Sequence, residues 1–341
     1  MARKRKTKVK INRDKIVKSI VLVVLFGIIF LAVMSPQTLS QIENKFGINI
    51  SDYIKYENSI STSKVYENVI NVYTVITEEF IVEKDRLNIY FFDVGQADSS
   101  LIVYNDKAML IDAGNVADGE EILEGLEKLG IDDLDYVIGT HIHEDHVGGL
   151  YKIVDGIDVG KLYLPYNESS TTSYYKKLLK SLQAKDMSIS EVEVGDEIKL
   201  TDDISAQIMS VDNSQPEDEN DASIVVMIKY QDMEYLFMAD ATTEVEGKRE
   251  WEDIDVLRVG HHGSNTSSSE KFLKQVKPEI SIISVGKDNS YGLPKDKIIK
   301  RLNSIGTNIY RTDKVGTIQL VSNGKENKIY EIDVSFDGNE D

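Results

Sequence analysis

The stretch that decides the fold is Thr140–Gly149, which reads THIHEDHVGG and follows a short apolar run. Three of the five histidines of the chain and one aspartate lie within six positions of it. Imidazole and carboxylate groups are good ligands for a divalent ion such as zinc, and a strand that turns into a loop can present His141 and His143 on one side. Asp145 and His146 then reach a second point. We therefore predict a metal site here, in preference to a chance grouping of surface histidines.

The other two histidines, His261 and His262, also follow an apolar strand, in the segment Leu257–Ser264. An adjacent pair could be packed or capping residues, but together with the first cluster it becomes a candidate source of metal ligands. Asp240 ends a further apolar run, Tyr235–Ala239. Its alternatives are a carboxylate that bridges two metal ions and the N-cap of a following helix.

Composition limits the chemistry of any such site. The chain has no cysteine, so disulfides, thiolate nucleophiles and cysteine-bound zinc are excluded, and any metal must be held by His, Asp or Glu. Hydrophobic residues make up 41% of the chain and charged residues 28%, which excludes wholesale disorder. A length of 341 residues predicts one main domain with attachments.

Charge is distributed unevenly along the chain. Residues 1–18 contain nine Lys or Arg and one acid, and the remainder contains 30 basic against 57 acidic residues. So acidic a body repels nucleic acid and anionic lipid at long range unless a local basic groove or bound metal ions offset it. This argues against a simple DNA-binding role.

The N-terminal region predicts a membrane anchor. Residues 1–18 form a basic cytoplasmic tail, and residues 19–35 are apolar and long enough for one transmembrane helix. The positive charge before this segment places the N-terminus in the cytoplasm and the rest of the chain outside, as a single-pass protein of the cell membrane. A cleaved signal peptide, and hence a secreted protein, is the alternative. Residues 36–85 are predicted to form a membrane-proximal stalk.

Residues 86–341 predict an α/β domain. Short β-branched and aromatic runs near residues 87–94, 99–105 and 107–114 indicate an antiparallel meander, followed by a helix at Asp118–Leu129. The second half repeats this order of elements, with helices expected near Thr243–Trp251, Ser269–Val276 and Lys295–Asn303. Two sheets packed face to face with helices outside, an αββα sandwich, accommodate this order.

The histidine segment resembles the HxHxDH signature of the metallo-β-lactamase superfamily, and within it the C-terminal domain of ComEC-type DNA-uptake (competence) proteins and their stand-alone relatives. The resemblance covers residues 87–335, without the ComEC channel. Its further motifs are Asp93–Asp98, Leu110–Gly114, Asn220–Ser223, Met238–Ala241, Gly260–Ser264 and Arg311–Asp313.

The resemblance implies two divalent ions, with zinc favoured over manganese. It places His141 and His143 on one ion, and Asp240 between the two. The other ion would be held by Asp145, His146 and His261, and His262 would lie further out or exchange roles with His261. The chain departs from many superfamily enzymes because no histidine lies between His146 and His261. Asn220 or Asp221 is the candidate replacement.

The same resemblance implies a metal-dependent hydrolase that activates a water molecule. Asp145 or Asp240 would orient this water, and the substrate would be a phosphodiester, DNA included. Ser264 and Ser223 are candidate substrate contacts. The alternatives are hydrolysis of a small lactone, thioester or β-lactam, and a non-catalytic metal-binding or sensor module. No obligate protein partner is inferred. A local cluster of basic residues could attract the phosphates of a nucleic acid, or could be a solvated helix face. Its members are Lys287, Lys295, Lys297, Lys300 and Arg301.

Overall fold

The computed structural model describes residues 81–165, 170–332, 334–336 and 338, which all belong to the unit Phe80–Asp341. The strands of this part are β1 (Leu87–Phe91), β2 (Ser100–Tyr104), β3 (Lys107–Ile111), β4 (Asp133–Ile138), β5 (Asp158–Tyr163), β6 (Ile189–Ser190), β7 (Glu197–Lys199), β8 (Ile204–Ser210), β9 (Val225–Tyr230), β10 (Met233–Phe237), β11 (Val256–Arg258), β12 (Ile280–Ile283), β13 (Asn308–Arg311), β14 (Thr317–Ser322) and β15 (Asn327–Ile332). The α-helices are α1 (Asp118–Lys128), α2 (Glu144–Val147), α3 (Leu150–Gly156), α4 (Ser173–Ala184), α5 (Thr243–Gly247), α6 (Glu270–Val276), α7 (Asp296–Ile305) and α8 (Thr312–Val315).

These strands form two sheets, in the orders β15-β14-β1-β2-β3-β4-β5-β6 and β13-β12-β11-β10-β9-β8-β7. Each sheet contains an antiparallel meander, β1-β2-β3 or β8-β9-β10, whose last strand is followed by parallel strands. The two halves predicted from the sequence are therefore present, and the meander at the start of the domain is confirmed.

In the described part of the chain, three clusters of buried side chains hold the sheets and helices together. Strand β1 contributes to two of them, because alternate side chains of a strand point to opposite faces of its sheet. Leu87, Ile89 and Phe91 lie in a cluster shared by both sheets, whereas Tyr90 packs with helices α1, α3 and α4. A third cluster joins the outer face of the second sheet to α5, α6 and α7. The αββα sandwich is confirmed.

The predicted helix at Thr243–Trp251 is shorter in the structure and ends at Gly247. The chain turns there because Trp251 is buried edge-on against Phe272 and its indole N–H donates to the carbonyl oxygen of Glu246. Helix α4, whose N-terminal turn contacts the histidine segment through Tyr174, was not predicted.

Among the described residues no helix is both long and apolar enough to cross a bilayer. The predicted tail and anchor, and the stalk up to residue 80, lie outside those residues. The last residues of the stalk are described, and they pack on the domain: Val82 contacts the cluster beneath α1, and the Tyr90 hydroxyl donates to the carbonyl oxygen of Ile81 at 2.9 Å.

Candidate metal centre

The candidate site lies at the edge of the sandwich where the carboxyl ends of neighbouring parallel strands meet. In the first sheet β3 leads into Asp112 and its parallel neighbour β4 leads into the histidine segment. In the second sheet β10 leads towards Asp240 and its parallel neighbour β11 leads towards His261 and His262. Because the two sheets pack face to face, their strand ends bring Asp112 close to the second histidine pair, about 150 positions further along the chain.

His141 and His143 form the first group. The Nε2 atom of His141 lies 3.1 Å from the Nδ1 atom of His143. This is a hydrogen-bond distance, slightly shorter than the roughly 3.3–3.6 Å between two ligands about 2.0–2.2 Å from one tetrahedral ion, so a shared ion would need the two rings to move slightly apart. The Nε2 atom of His143 lies 3.2 Å from a carboxylate oxygen of Glu219, which can fix the ring.

The second group is more deeply buried. One ligand atom each from Asp98, His146, Asp240 and His262 lies within 4.8 Å of the others. His146 Nε2 is 3.3 Å from Asp240 Oδ1, and His262 Nε2 is 3.3 Å from an oxygen of Asp145.

These atoms pass a test for metal ligation. Asp240 Oδ1 and the Nε2 atoms of His146 and His262 are buried and have no hydrogen-bond partner among the described residues. Buried polar atoms without a partner are costly, and distances of 3.3 Å exceed the usual range for an N–H···O hydrogen bond. The same distances match two ligands of one ion. The residues therefore fit a divalent ion.

His261 and His262 take different positions. His262 is buried, and its Nδ1 atom lies 2.9 Å from the carbonyl oxygen of Ser284. A proton on Nδ1 leaves Nε2 with a lone pair that faces Asp145. His261 is partly exposed; its Nδ1 lies 2.8 Å from the Thr266 hydroxyl and its Nε2 lies 3.5 Å from Asp240. Of the two, His262 has the geometry of a ligand of the second group.

Asp112 contacts the candidate ligand His146 on the side away from the site. It is buried and accepts hydrogen bonds from the backbone N–H and the hydroxyl of Thr140, both at 2.8 Å. One of its oxygens lies 2.7 Å from His146 Nδ1. A carboxylate on the far nitrogen of a metal-binding imidazole fixes its tautomer and its orientation. Asp112 therefore directs the Nε2 atom of His146 into the site.

Asp98 of the second group takes part in a buried ion pair. The guanidinium of Arg258 contacts a carboxylate oxygen of Asp98 and also donates to the carbonyl oxygens of Ala239 and Val259, at 2.9 and 2.8 Å. Burial lowers the pKa of Arg258 to about 9. The pair thus links the loop after β1 to the strands that lead to Asp240 and the second histidine pair.

Burial and charge shift the pKa values of the site residues. Burial alone would lower the pKa of His146, but the carboxylates of Asp240 and Asp112 outweigh it and hold that pKa well above the usual value. Burial would raise the pKa of Asp240, but His146 and His262 hold it well below the usual value. Burial also opposes the lowered pKa of Asp145, which the neighbouring imidazoles of His262 and His146 produce. Burial lowers the pKa of His141 and of His261.

Several turns of the site contain residues in the left-handed backbone conformation. Asp112, Ala239, His261 and His262 all have positive φ, between 49° and 60°. Such conformations cost on the order of 1 kcal/mol or more for residues other than glycine and persist where the surrounding structure enforces them. The turns that carry the candidate ligands are therefore held in place by the fold.

The sequence offered two residues in place of the missing histidine. Asp221 has one oxygen occupied, since Oδ1 accepts from the Thr242 hydroxyl at 2.5 Å. Asn220 Oδ1 is buried and has no partner in the described part of the chain. Its neighbour Glu219 contacts His143, and Ile224 N–H donates to the carbonyl oxygen of Thr140 at 2.8 Å, so this turn borders the first group. Asn220 is the better candidate of the two.

The structure distinguishes the two serines suggested as substrate contacts: Ser223 is buried, whereas Ser264 is partly exposed and stays a candidate. Ser223 is fully buried, and a fully buried hydroxyl is a poor contact for a substrate. The Ser264 hydroxyl accepts a hydrogen bond from the Thr266 hydroxyl at 3.0 Å within its own turn.

Asp98, Asp112, Arg258 and Glu219 were not singled out as site residues from the sequence. Asp112 carries the signal that identified Asp240, an acid directly after an apolar strand. Arg258 is a charge within an apolar strand, and Asp98 closes one of the motifs of the resemblance. Glu219 has no local signal, because only the fold brings it to His143.

The sandwich fold and this cluster of candidate metal ligands define the class: the chain belongs to the metallo-beta-lactamase superfamily, which it matches over residues 92–287. It is similar to ComE operon protein 3 of Bacillus subtilis (strain 168), with 31% identity over 251 residues, 67% of this chain and 32% of that protein. Recombination protein 2 of Haemophilus influenzae is 30% identical over 235 residues, 67% of this chain and 28% of that protein. Competence protein ComA of Neisseria gonorrhoeae is 27% identical over 245 residues, 70% of this chain and 33% of that protein. The chain spans about a third of the length of these curated relatives, and the resemblance to competence proteins is confirmed.

Proposed function

We propose that this chain is a metal-dependent hydrolase of phosphodiester bonds. The observation that carries the proposal is the set of buried ligand atoms without partners, in His146, His262 and Asp240, next to the partly exposed carboxylate of Asp145. The names of two relatives, a competence protein and a recombination protein, favour a nucleic-acid phosphodiester over a small ester.

The candidate ligands divide into two sets. His141 and His143, with Asn220, would hold the first ion, and Asp145, His146 and His262 would hold the second. Asp240 would lie between the two sets. Such nitrogen and oxygen ligands suit zinc or manganese. When bound, the ions would lower the pKa of a water molecule and stabilise negative charge on the substrate.

We assign to Asp145 the orientation of the attacking water. Its side chain is 31% exposed, whereas the side chain of Asp240 is 2% exposed. Its lowered pKa keeps it ionised at neutral pH, so it can accept a hydrogen bond from the water and orient it. Asp240 is buried against the imidazoles of His146, His261 and His262, so it is less accessible to the water than Asp145.

The experiment is turnover of bis(p-nitrophenyl) phosphate by the full chain, purified in mild detergent, with zinc or manganese. The Asp145→Ala, His146→Ala double variant is the control, and bound metal is measured in both proteins. We expect metal-dependent turnover that the double variant loses. Bound metal without phosphodiester turnover, but with cleavage of a lactone or β-lactam, would contradict the proposed substrate class. A protein that binds no metal would favour a non-catalytic module.

We also propose that residues 19–35 anchor the chain in the cell membrane with the hydrolase domain outside the cytoplasm. The absence of cysteine allows a clean test, because a single introduced cysteine is then the sole thiol. In intact cells, a membrane-impermeant maleimide should label Ser40→Cys and leave Thr7→Cys unlabelled. Labelling of Thr7→Cys, or release of the domain from washed membranes, would contradict the proposed topology.

A further inference from the structure

The loop between β12 and α7, residues 284–295, carries an exposed aromatic side chain. In the described part of the chain three large hydrophobic side chains are exposed, and Tyr291, at 67%, is the most exposed of them. Exposing so much aromatic surface has no benefit for folding, because the hydrophobic effect favours its burial.

This loop is built to be rigid. The side chain of Asn289 donates to the carbonyl oxygens of Gly286 and Leu293, at 2.9 and 2.8 Å, and accepts from the backbone N–H of Leu293 at 3.0 Å. The Lys295 ammonium donates to the carbonyl oxygen of Tyr291 at 2.6 Å. A side chain displayed on a preorganised loop loses little conformational entropy when it binds a ligand.

Both ends of the loop are attached to the turn that carries the second histidine pair. Its first residue, Ser284, provides the carbonyl oxygen for His262 Nδ1. At the other end, Lys295 N–H donates to the carbonyl oxygen of Gly263 at 2.9 Å. Packing there is tight, since a Cβ atom on Gly263 would lie 2.5 Å from the Cβ atom of Pro294. These contacts hold the backbone at both ends of the loop next to the candidate ligands.

The loop also contacts the segment that carries Asp98. Gly286 N–H donates to the side-chain oxygen of Gln96 at 3.2 Å, and a Cβ atom on Gly286 would lie 2.6 Å from the backbone nitrogen of Gln96. Thus the loop is attached to elements of both sheets beside the candidate ligands.

Chemistry indicates what the loop would bind. Exposed aromatic rings stack with nucleobases, and this interaction tolerates any base sequence. Lys287 is exposed on the same loop and offers a charge for a phosphate. Because the body of the protein is strongly acidic, long-range attraction contributes little, so local stacking must supply much of the affinity.

We propose that Tyr291 is a stacking platform for a base of a single-stranded polynucleotide whose phosphodiester bond lies at the metal centre, and that Lys287 contacts a neighbouring phosphate. The proposal rests on the phosphodiesterase function above and specifies its substrate. It makes Tyr291 a substrate-binding residue that acts on polymers and has no role with small phosphodiesters.

The test compares Tyr291→Ala, Tyr291→Phe and wild type, as full chains, on a short oligothymidylate and on bis(p-nitrophenyl) phosphate. Stacking contributes enough per base that Tyr291→Ala should raise KM for the oligonucleotide about 5- to 150-fold. Tyr291→Phe should stay close to wild type, and all three proteins should cleave the small substrate equally. Val194→Ala, which trims an exposed apolar side chain beside β7, is the matched control.

A second readout does not require turnover. In the Asp145→Ala, His146→Ala background, an oligonucleotide that contains 2-aminopurine should lose fluorescence on binding when residue 291 is Tyr or Phe, and not when it is Ala. If wild type cleaves the oligonucleotide and Tyr291→Ala has the same KM, the stacking proposal is wrong and the proposed function stands. Equal losses on both substrates would assign Tyr291 a structural role. Failure of wild type on both substrates would instead refute the proposed function, and the platform with it.

Discussion

Replacement of Asp112 by Asn tests whether the tertiary structure fixes the tautomer of His146. The carboxylate accepts from the backbone N–H and hydroxyl of Thr140 and lies 2.7 Å from His146 Nδ1. An amide retains one acceptor oxygen, which the N–H of Thr140 can keep. Its NH2 group then faces His146 Nδ1, which must accept, and the ring proton moves to Nε2, the atom that faces Asp240.

The expected magnitude follows from this change. A metal must displace the proton on Nε2, and loss of such a supporting contact lowers metal affinity about 10- to 100-fold, or about 1.4–2.7 kcal/mol. Only the ion held by His146 should be affected. The assay is competition for zinc between the metal-free full chain and a chromophoric chelator, fitted to two sites.

Asp135→Asn is the matched control. Asp135 also accepts a backbone N–H, from Ala108 at 3.0 Å, and pairs with Lys107 at 2.7 Å, but it lies near the start of β4, away from the site. It should leave both affinities unchanged. A folded Asp112→Asn protein that binds both ions as tightly as wild type would refute the assigned role of Asp112.

Three further predictions concern the first ion, the pH dependence of stability and the glycines of the histidine segment. Asn220→Ala should weaken the first ion at least about tenfold and leave the second in place, measured by metal content after dialysis; two retained equivalents would exclude Asn220 as a ligand. Burial raises the pKa of Glu246, whose carboxylate accepts backbone N–H groups of Ser268 and Ser269, so the folded state holds the extra proton and stability falls as pH rises above the unfolded value of 4.5. Glu246→Gln removes this loss. The free energy of unfolding of the variant minus that of wild type should therefore increase between about pH 4 and about pH 7, as measured by urea denaturation, and a difference that does not change with pH would contradict the assignment. Gly149→Ala should destabilise the domain by about 1–3 kcal/mol because the new Cβ would lie 2.1 Å from the carbonyl oxygen of Ala113, whereas Gly247→Ala, with nothing within 4 Å, should be tolerated in the same urea titration.

The glycines of the histidine segment show the limit of reasoning from local pattern. The position of Gly148 and Gly149 directly after the ligand residues favours a turn whose backbone runs close to the metals. The structure shows a different close approach, to the loop after β3, because Cβ atoms there would meet backbone atoms of Ala113, Asn115 and Val116. Local sequence marks a need for glycine, but the neighbour that imposes it comes from another strand.

The sequence by itself determined the fold class and the ligand types. Period-two alternation fixes which side chains of a strand such as β1 face each layer, and the spacing of His141, His143, Asp145 and His146 defines ligands on one continuous segment. Both are local properties of the chain.

Only the tertiary structure decided how distant segments complete the site. His261 and His262 are chemically identical neighbours in sequence, and the assignment of His262 to the second group depends on its burial and on the carbonyl oxygen of Ser284, in the loop after β12. Likewise, Asp98 and Glu219 acquire their roles because the two sheets meet at one edge. Such roles depend on long-range packing, which local patterns do not encode.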